Sequence, residues 1–270
     1  MSTHQPLKYF YQNTKLEKRE IDLVICHVLK INTAELFIWN KQLEESQMNQ
    51  ILEFIKQREN GKPLAYITGH KEFWTLDLIV NEHTLIPRPE TELIIETVLE
   101  LTDDSFGGNI LDLGTGTGAI ALSIAKERPH SQVTAIDFSN DCVEIARKNQ
   151  IHNQVHNAKF LQSNWFSNLD NKQFDIIVSN PPYVEENDPH LQDLKYEPIT
   201  ALTSPNQGFK DLFQIISEAR NHLKPNGYLI LEHGYNQHQR VADYMHKNNY
   251  SDVKTLKDLA LIPRVTMGRV

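Results

Sequence analysis

A run of apolar residues that leads into three closely spaced glycines constrains the fold of this chain more than any other feature. Residues 109–118 have the sequence Asn-Ile-Leu-Asp-Leu-Gly-Thr-Gly-Thr-Gly. Glycines after a strand let the backbone turn into a helix and approach a ligand closely, because no Cβ intervenes. Asp137 follows about 20 residues later, at the predicted end of the next strand, where a carboxylate can bind a ribose diol. The pattern predicts a nucleoside-containing ligand at the edge of an α/β sheet.

Strands and helices alternate over the rest of the chain. The predicted strands are Asn109–Leu113, Gln132–Asp137, Lys159–Gln162, Phe174–Ser179, Gly227–Glu232, Ser251–Leu256 and Arg264–Val270. The predicted helices are Ala119–Arg128, Asp141–Asn149, Leu212–Leu223 and Asn236–Lys247. Alternation of this kind predicts a mostly parallel sheet with helices on both faces, which is a Rossmann-like α/β fold.

The first ninety or so residues differ from this pattern. Apolar residues recur at helical spacing in Arg19–Ile31 and in Glu44–Arg58. Tyr66–Leu85 alternates and is rich in β-branched and aromatic residues, which indicates a hairpin around Glu72–Leu76. We therefore divide the chain into an N-terminal helical domain (residues 1–75), a β-hairpin linker (76–90) and an α/β domain (91–270).

Composition and charge argue against several classes of protein. The formal net charge of −8 is a poor match for a phosphate backbone, so we expect no stable direct binding of nucleic acid. No apolar run is long enough to cross a bilayer, and residues 1–18 lack the apolar core of a signal peptide. The two cysteines and twelve histidines show no metal-ligand spacing, so we expect no metal site. We expect a monomer in the cytoplasm, without membrane contact.

Two details distinguish the glycine loop from a dinucleotide-binding turn. The glycines are spaced G-x-G-x-G, and Ala119 stands where a dinucleotide fold needs its third glycine. Asp112 lies beside the expected ligand, where a carboxylate opposes a pyrophosphate but suits a cofactor that carries an ammonium and a sulfonium. The pattern D-x-G-x-G-x-G resembles the cofactor loop of class I methyltransferases, and this resemblance implies S-adenosyl-L-methionine as the cofactor. The alternative is a tight strand–helix turn that binds no ligand.

A second turn carries the substrate chemistry. Strand Phe174–Ser179 leads directly into Asn180-Pro181-Pro182-Tyr183, and the carboxyl ends of parallel strands share one crevice. An amide or nucleobase NH2 is a weak nucleophile because its lone pair is delocalised. The Asn180 side-chain oxygen and the Pro181 carbonyl oxygen can orient such a nitrogen, the two prolines make the turn rigid, and Tyr183 offers a flat face. The turn predicts methyl transfer to a planar nitrogen, with Asn180, Pro181 and Tyr183 as catalytic residues and no strong general base.

Further segments along nearly the whole chain resemble the protein-(glutamine-N5) methyltransferase family, in particular its release factor enzymes. These segments are Pro63–Gly69 with Phe73, Ile86–Glu92, the glycine loop, Ser163–Phe166, the Asn180–Tyr183 turn, Tyr196–Pro198 and Glu232–Gly234. The resemblance implies methylation of the side-chain amide nitrogen of the glutamine in the Gly-Gly-Gln motif of class I peptide chain release factors. Glutamine methylation of that kind belongs to translation termination.

The resemblance also implies roles for individual residues. Asn180 and Pro181 would hold the glutamine amide, Asp137 the ribose, and Trp165 would lie near the adenine. The N-terminal helical domain would dock the release factor. The predicted cofactor residues are Asp112, Gly114, Thr115, Gly116, Gly118, Asp137, Phe138, Asn164, Trp165 and Asn180. The predicted substrate residues are Asn180, Pro181, Pro182, Tyr183, Arg88 and Glu90.

Two positions depart from the family pattern. Asn164 stands where members of the family often have Asp, but an amide oxygen can still accept a hydrogen bond from the adenine amino group. Leu261–Arg264 occupies a stretch in which the resemblance leads us to expect a glycine. The role of Arg264 is therefore left open.

Three other functions share parts of this pattern. An N6-adenine methyltransferase of DNA or RNA would use the same turn but would have to extract the base from its stack, and the net charge argues against it. A glutamine methyltransferase of a ribosomal protein differs only in its substrate. A non-catalytic cofactor-binding adaptor is disfavoured because Asp112, Asp137 and Asn180 are all present.

Overall fold

The computed structural model describes residues 7–170 and 172–270, which fall into two compact units with a boundary after His70. The first six residues of the predicted N-terminal domain lie outside the described part of the chain. The functional division at residues 75 and 90 stays a prediction. Across 7–170 and 172–270, no helix is both long and apolar enough to span a membrane.

The first unit is helical. Its helices are α1 (Lys8–Gln12), α2 (Lys18–Leu29), α3 (Thr33–Phe37), α4 (Glu45–Glu59) and α5 (Leu64–Thr68). Apolar residues at helical spacing on α2 and α4, among them Ile25 and Ile51, are fully buried and pack in one cluster. Helix α3 begins with a capping box, in which the Asn32 side chain and the Glu35 side chain each accept from the other residue's backbone N–H. The two long helices predicted from periodicity are confirmed.

The segment Tyr66–Leu85 is only partly extended, which corrects the sequence prediction. Tyr66 lies in α5, because Pro63 fixes the backbone just before the helix and Gly69 ends it with a left-handed φ of 76°. Strands β1 (His70–Phe73) and β2 (Leu76–Ile79) then form the predicted hairpin.

The second unit alternates helices and strands. Its α-helices are α6 (Glu92–Leu101), α7 (Ala119–Glu127), α8 (Asn140–His152), α9 (Pro205–Gly208), α10 (Lys210–Ala219) and α11 (His238–Lys247). Its remaining strands are β3 (Asn109–Leu113), β4 (Gln132–Asp137), β5 (Ala158–Gln162), β6 (Phe174–Ser179), β7 (Leu223–Glu232), β8 (Ser251–Lys257) and β9 (Pro263–Arg269). The helix predicted for 212–223 was too long: α10 ends at Ala219, and Leu223 is extended because it pairs with Phe174 in the sheet.

The seven-stranded sheet has the order β5-β4-β3-β6-β7-β9-β8. Strands β3 to β7 pair in parallel, while β9 is antiparallel to both of its neighbours. The chain moves outward from β3 through β4 to β5 and then crosses to β6 on the other side of β3. Ligands of open α/β sheets bind at such a reversal, outside the carboxyl ends of the strands. The predicted mostly parallel α/β fold is confirmed.

Helices cover both faces of this sheet. Ile110 of β3 packs on the face that carries α6, α7 and α8, and its neighbour Leu111 packs on the face that carries α10 and α11. Both side chains are fully buried. The apolar strand sequence is therefore explained by burial on two sides, and the polar residues are left for the strand ends.

The turn between β8 and β9 contains the leucine that stands in the expected glycine stretch. Leu261 has a φ of 62°, in the left-handed region that favours glycine, and its side chain is 74% exposed. A left-handed backbone costs a non-glycine residue about 1–2 kcal/mol. Asp258 holds the turn by accepting hydrogen bonds from the backbone N–H groups of Ala260 and Ile262 and from Nε of Arg264.

Candidate active site

The glycine loop connects β3 to α7 at the centre of the sheet. Gly114, Gly116 and Gly118 have φ values of 72°, 54° and 83°, so each occupies the left-handed region. The loop is fastened to the neighbouring strand, because the N–H groups of Gly114 and Thr115 both donate to the carbonyl of Ile136 at 2.9 Å. The surface of the loop is open: a Cβ at Gly116 would meet no atom within 4 Å. The loop thus presents bare backbone to the space above it.

Asp137 ends β4 and fixes the loop from the side. One carboxylate oxygen accepts from the Gly116 N–H at 2.9 Å, and the other accepts from the Ser139 N–H at 2.9 Å. Burial raises the pKa of this carboxyl, while the two backbone donors oppose that shift. The carboxylate lines the cavity above the loop, where it can accept from a ligand hydroxyl.

Asp112 lies beneath the loop with no exposed surface. Its Oδ2 accepts from the Thr115 hydroxyl at 2.6 Å, whereas Oδ1 is buried without a hydrogen bond of standard geometry to any described residue. Burial raises the pKa of the carboxyl to about 7, against hydrogen bonding from the Thr115 hydroxyl and the Ala121 backbone N–H. A buried carboxylate oxygen without a partner is unfavourable unless a cation compensates it. This buried carboxylate, with one oxygen that lacks a hydrogen bond of standard geometry and the open glycine backbone above it, fits a cofactor that carries positive charge.

Asp112→Asn should stabilise the ligand-free protein in a pH-dependent way. The pKa is about 7 in the folded chain and 3.8 ordinarily, so the folded state binds more protons and stability falls as pH rises through that window. Asparagine has no such proton to lose. We expect the Tm of Asp112→Asn to exceed that of the wild type by several degrees at pH 8 and to match it near pH 4, with weaker cofactor binding. Scanning calorimetry of both proteins at pH 4 and pH 8 measures the Tm difference, and titration with cofactor measures the binding. The same Tm difference between variant and wild type at both pH values would contradict the prediction.

A cavity of ≈ 400 Å³ opens above the glycine loop. Its volume lies within the range of about 300–1,000 Å³ that is usual for small-molecule sites. The sequence-predicted residues that line it are Gly114, Gly116, Asp137, Phe138, Asn164, Trp165, Asn180 and Pro182. Ser163 and Pro198, from two of the segments that resemble the family, line it too, and so do Glu82, His83, Leu85 and Thr200, which sequence reasoning did not find. Asp112, Thr115 and Gly118 lie below the cavity as its support.

A second cavity of ≈ 120 Å³ lies on the far side of Asn180. Predicted substrate residues Arg88, Pro181 and Tyr183 line it, and Asn180 lines both cavities. A space of this size suits one side chain rather than a nucleoside. The structure thus brings the predicted cofactor and substrate residues together around one asparagine.

The orientation of the Asn180 amide is defined by one hydrogen bond. Its Nδ2 donates to the hydroxyl oxygen of Thr91 at 3.1 Å, and Thr91 is itself 96% buried (4% exposed). This contact occupies the donor end of the amide. The acceptor, Oδ1, is left for a ligand N–H.

The turn that carries Asn180 is held from behind. The Tyr183 hydroxyl donates to Glu232 at 3.1 Å, and the Tyr183 carbonyl accepts from the Gln237 side chain at 3.0 Å. Gly208 packs so closely that a Cβ there would lie 2.1 Å from the Tyr183 carbonyl oxygen. These contacts and the two prolines leave the turn little freedom to move.

Arg88 and Glu90 belong to two separate ion pairs. Arg88 pairs with the buried carboxylate of Glu197, whose other oxygen accepts from the backbone N–H of Ile86. Glu90 lies 3.9 Å from Arg264, which is bound to Asp258 at 3.0 Å. Arg88 lines the smaller cavity, whereas Glu90 is not among the residues that line either cavity.

Sequence reasoning missed Thr91, Glu197 and Glu232 as residues of this region. Each lies inside a segment that the resemblance had marked, and Glu232 ends a parallel strand at the same edge as Asn180. The position of Glu232 at a strand end was the signal that could have found it.

Comparison with known proteins supports the same assignment. A family model described as "Methyltransferase small domain" matches residues 89–195, and one described as "PrmC N-terminal domain" matches residues 8–69. The release factor glutamine methyltransferase of Shewanella oneidensis is 42% identical over 93% of this chain and 88% of its own length. The one from Escherichia coli is 42% identical over 96% and 94%. A solved methyltransferase from Pyrococcus furiosus shares the fold, with a TM-score of 0.55 and 21% identity over 84% of this chain and 98% of that one.

Proposed function

This chain belongs to the release factor glutamine methyltransferase family, and on that basis we propose how its residues carry out the reaction. It is an S-adenosyl-L-methionine-dependent enzyme that methylates the side-chain amide nitrogen of a release factor glutamine. Our proposal is that this glutamine lies in the Gly-Gly-Gln motif of class I release factors, enters the smaller cavity, and meets the cofactor at Asn180.

The larger cavity holds the cofactor in this proposal. The buried Asp112 carboxylate contributes negative charge near its cationic part, and Asp137 accepts from the ribose. Phe138, Asn164 and Trp165 line the space in which the adenine would lie. When bound, S-adenosyl-L-methionine supplies a methyl group on a positively charged sulfur. The loop beneath the cofactor is shaped by Gly114, Thr115, Gly116 and Gly118.

Asn180 carries the proposal because, among the predicted site residues, it lines both cavities. Its free Oδ1 and the carbonyl oxygen of Pro181 accept from the two N–H bonds of the glutamine amide, which fixes the nitrogen and directs its lone pair toward the methyl group. The cofactor held by the glycine loop and Asp137 would supply the methyl group, and the amide nitrogen held by Asn180 and Pro181 would accept it. The methylated nitrogen is positively charged at that moment, and it is acidic enough to release its proton to water. No general base is needed, and Tyr183 and Pro182 keep the turn in place.

The first test is methyl transfer from labelled S-adenosyl-L-methionine to four substrates. These are a purified class I release factor, the same factor with its Gly-Gly-Gln glutamine changed to alanine, ribosomal proteins, and duplex DNA. We expect label on the intact factor alone. Label on ribosomal proteins or on DNA, with none on the factor, would overturn the substrate assignment and leave the cofactor assignment intact.

We also propose that the N-terminal unit contributes to docking of the release factor. The residues at the end of α3 support this, because Phe37 is 92% exposed and Ile38 is 75% exposed. Adjacent apolar side chains with this exposure favour contact with another protein. Replacing both with serine should raise KM for the release factor and leave kcat unchanged; an unchanged KM would oppose a docking role for these two residues.

The remaining parts of the proposal concern the setting of the enzyme. We propose that it acts as a monomer in the cytoplasm, where its release factor substrates take part in translation termination. It would do so without stable binding of nucleic acid, and the net charge of −8 supports this point.

A further inference from the structure

Glu232 is a buried carboxylate beside the turn Asn180–Tyr183. It ends β7, and its strand neighbour Leu231 pairs with Ser179, the residue before Asn180. The side chain is 1% exposed, and it is not among the residues that line the two cavities. Glu232 therefore lies behind the wall that Asn180 forms, and it is not placed to touch the substrate.

Two hydroxyl groups converge on this carboxylate. The Tyr183 hydroxyl donates to Oε1 at 3.1 Å. The Thr91 hydroxyl lies close enough to the carboxylate to lower its pKa, but Oε2 of Glu232 is buried without a hydrogen bond of standard geometry from any described residue. Glu232 thus binds Tyr183 at one end of the substrate-binding turn and lies near Thr91, the hydrogen-bond partner of Asn180.

The Thr91 hydroxyl can act toward Asn180 in two ways. A hydroxyl is both donor and acceptor, so it could accept from Nδ2 of Asn180 or donate to Oδ1 after the amide flips by 180°. Only the first leaves Oδ1 free for the glutamine amide. An ionised carboxylate accepts and never donates, so a Thr91 hydroxyl that turns its proton toward Oε2 of Glu232 keeps its oxygen available to accept from Asn180.

We propose that Glu232 is a positioning residue, which fixes the productive orientation of the Asn180 amide through the Thr91 hydroxyl and anchors Tyr183. This inference rests on the proposed function, since it concerns the group that holds the glutamine amide. It adds a buried chain of polar groups, called the relay below, that leads from Glu232 on β7 through the Thr91 hydroxyl to the turn Asn180–Tyr183.

The charges around Glu232 make this relay sensitive to pH. Burial raises its pKa to about 7, Glu90 adds to that rise, and Arg264 and the two hydroxyls oppose it. His233, the next residue, is buried and neutral because burial lowers its pKa to about 4. A protonated Glu232 can donate to Thr91, which lets the Thr91 proton turn to Asn180 Oδ1. The productive orientation is then lost as pH falls through the pKa of Glu232.

The test uses Glu232→Gln, which keeps the shape but can donate, together with Thr91→Val and Thr91→Ser. We expect Glu232→Gln and Thr91→Val each to lower kcat by about 10- to 100-fold, the range for losing a hydrogen bond to a charged group. The Kd for the cofactor should not change, and Thr91→Ser should retain most of kcat. The double variant should be no slower than either single one, because both interrupt the same relay. The loss of kcat below pH 7 should disappear in Glu232→Gln.

A second readout does not depend on activity. The side-chain amide signals of Asn180, assigned by their absence in Asn180→Ala, should shift near pH 7 in ligand-free wild type and stay constant in Glu232→Gln. Additive losses in the double variant, or Asn180 signals that behave alike in both proteins, would overturn the inference. Failure of the wild type to label any release factor would instead overturn the proposed function, and the amide signals would still decide the orientation of Asn180.

Discussion

Replacing Asn180 with alanine should lower kcat by about 10²–10³-fold, the usual cost of removing one preorganised polar contact to a reacting group. The contact of Nδ2 with Thr91 leaves the side-chain oxygen of Asn180 as an acceptor for substrate. Without it the glutamine amide keeps one acceptor, the Pro181 carbonyl, and can rotate about that bond. Single-turnover methylation of a saturating release factor with labelled cofactor measures the effect, because binding does not then limit the rate.

Two further variants define what the Asn180→Ala result means. Asn180→Asp keeps an acceptor but loses the N–H that binds Thr91, and it adds a negative charge close to Glu232, so we expect it to be as slow as alanine. Asn49→Ala removes an exposed asparagine from the middle of α4 and should have no effect on either rate or stability. An Asn180→Ala enzyme that retains a tenth or more of the wild-type kcat would show that another group orients the amide.

Asp137→Ala should weaken cofactor binding by about 10- to 100-fold, the range for losing a hydrogen bond to a charged group. The substitution removes the carboxylate that is placed to accept from the ribose. It also removes the acceptor of the Gly116 N–H, so the glycine loop loses one of the hydrogen bonds that hold it in place. Calorimetric titration with S-adenosyl-L-methionine measures the change directly, and the KM for the release factor should stay near its wild-type value.

The matched control for Asp137→Ala is Asp243→Ala. Asp243 is an exposed carboxylate on α11 that accepts from the side chain of Gln239 one turn earlier. Its removal changes the net charge by the same amount but leaves the glycine loop intact. If both variants bound the cofactor with wild-type affinity, Asp137 would have no part in holding the ribose.

The sequence was most informative where the chemistry depends on neighbours along the chain. Strand β3, its glycines and the turn after β6 are contiguous segments whose residue types follow from burial and backbone geometry, and the structure has them at the predicted positions. The family assignment from the same motifs is confirmed. The roles of the individual residues stay predictions until the variants are measured.

What the sequence could not supply are contacts between distant segments. Thr91 and Asn180 are 89 residues apart, and Arg88 and Glu197 are 109 apart. Nothing in the local pattern of either partner identifies the other, because both pairs form only when the fold brings the segment after β6 next to the residues that precede α6. Leu261 illustrates another limit: its left-handed backbone is imposed by the turn that Asp258 holds, against the preference of leucine itself.

The position of Asn180 between two unequal cavities has a consequence for inhibitor design. A compound confined to the space of ≈ 400 Å³ would bind mainly through the glycine loop and Asp137, whose pattern resembles that of class I methyltransferases in general. A short extension past Asn180 into the space of ≈ 120 Å³ would contact Tyr183 and also Arg88, which belongs to a segment that resembles the glutamine methyltransferases in particular. Such a two-part molecule would take most of its affinity from the larger space and its selectivity from the smaller one.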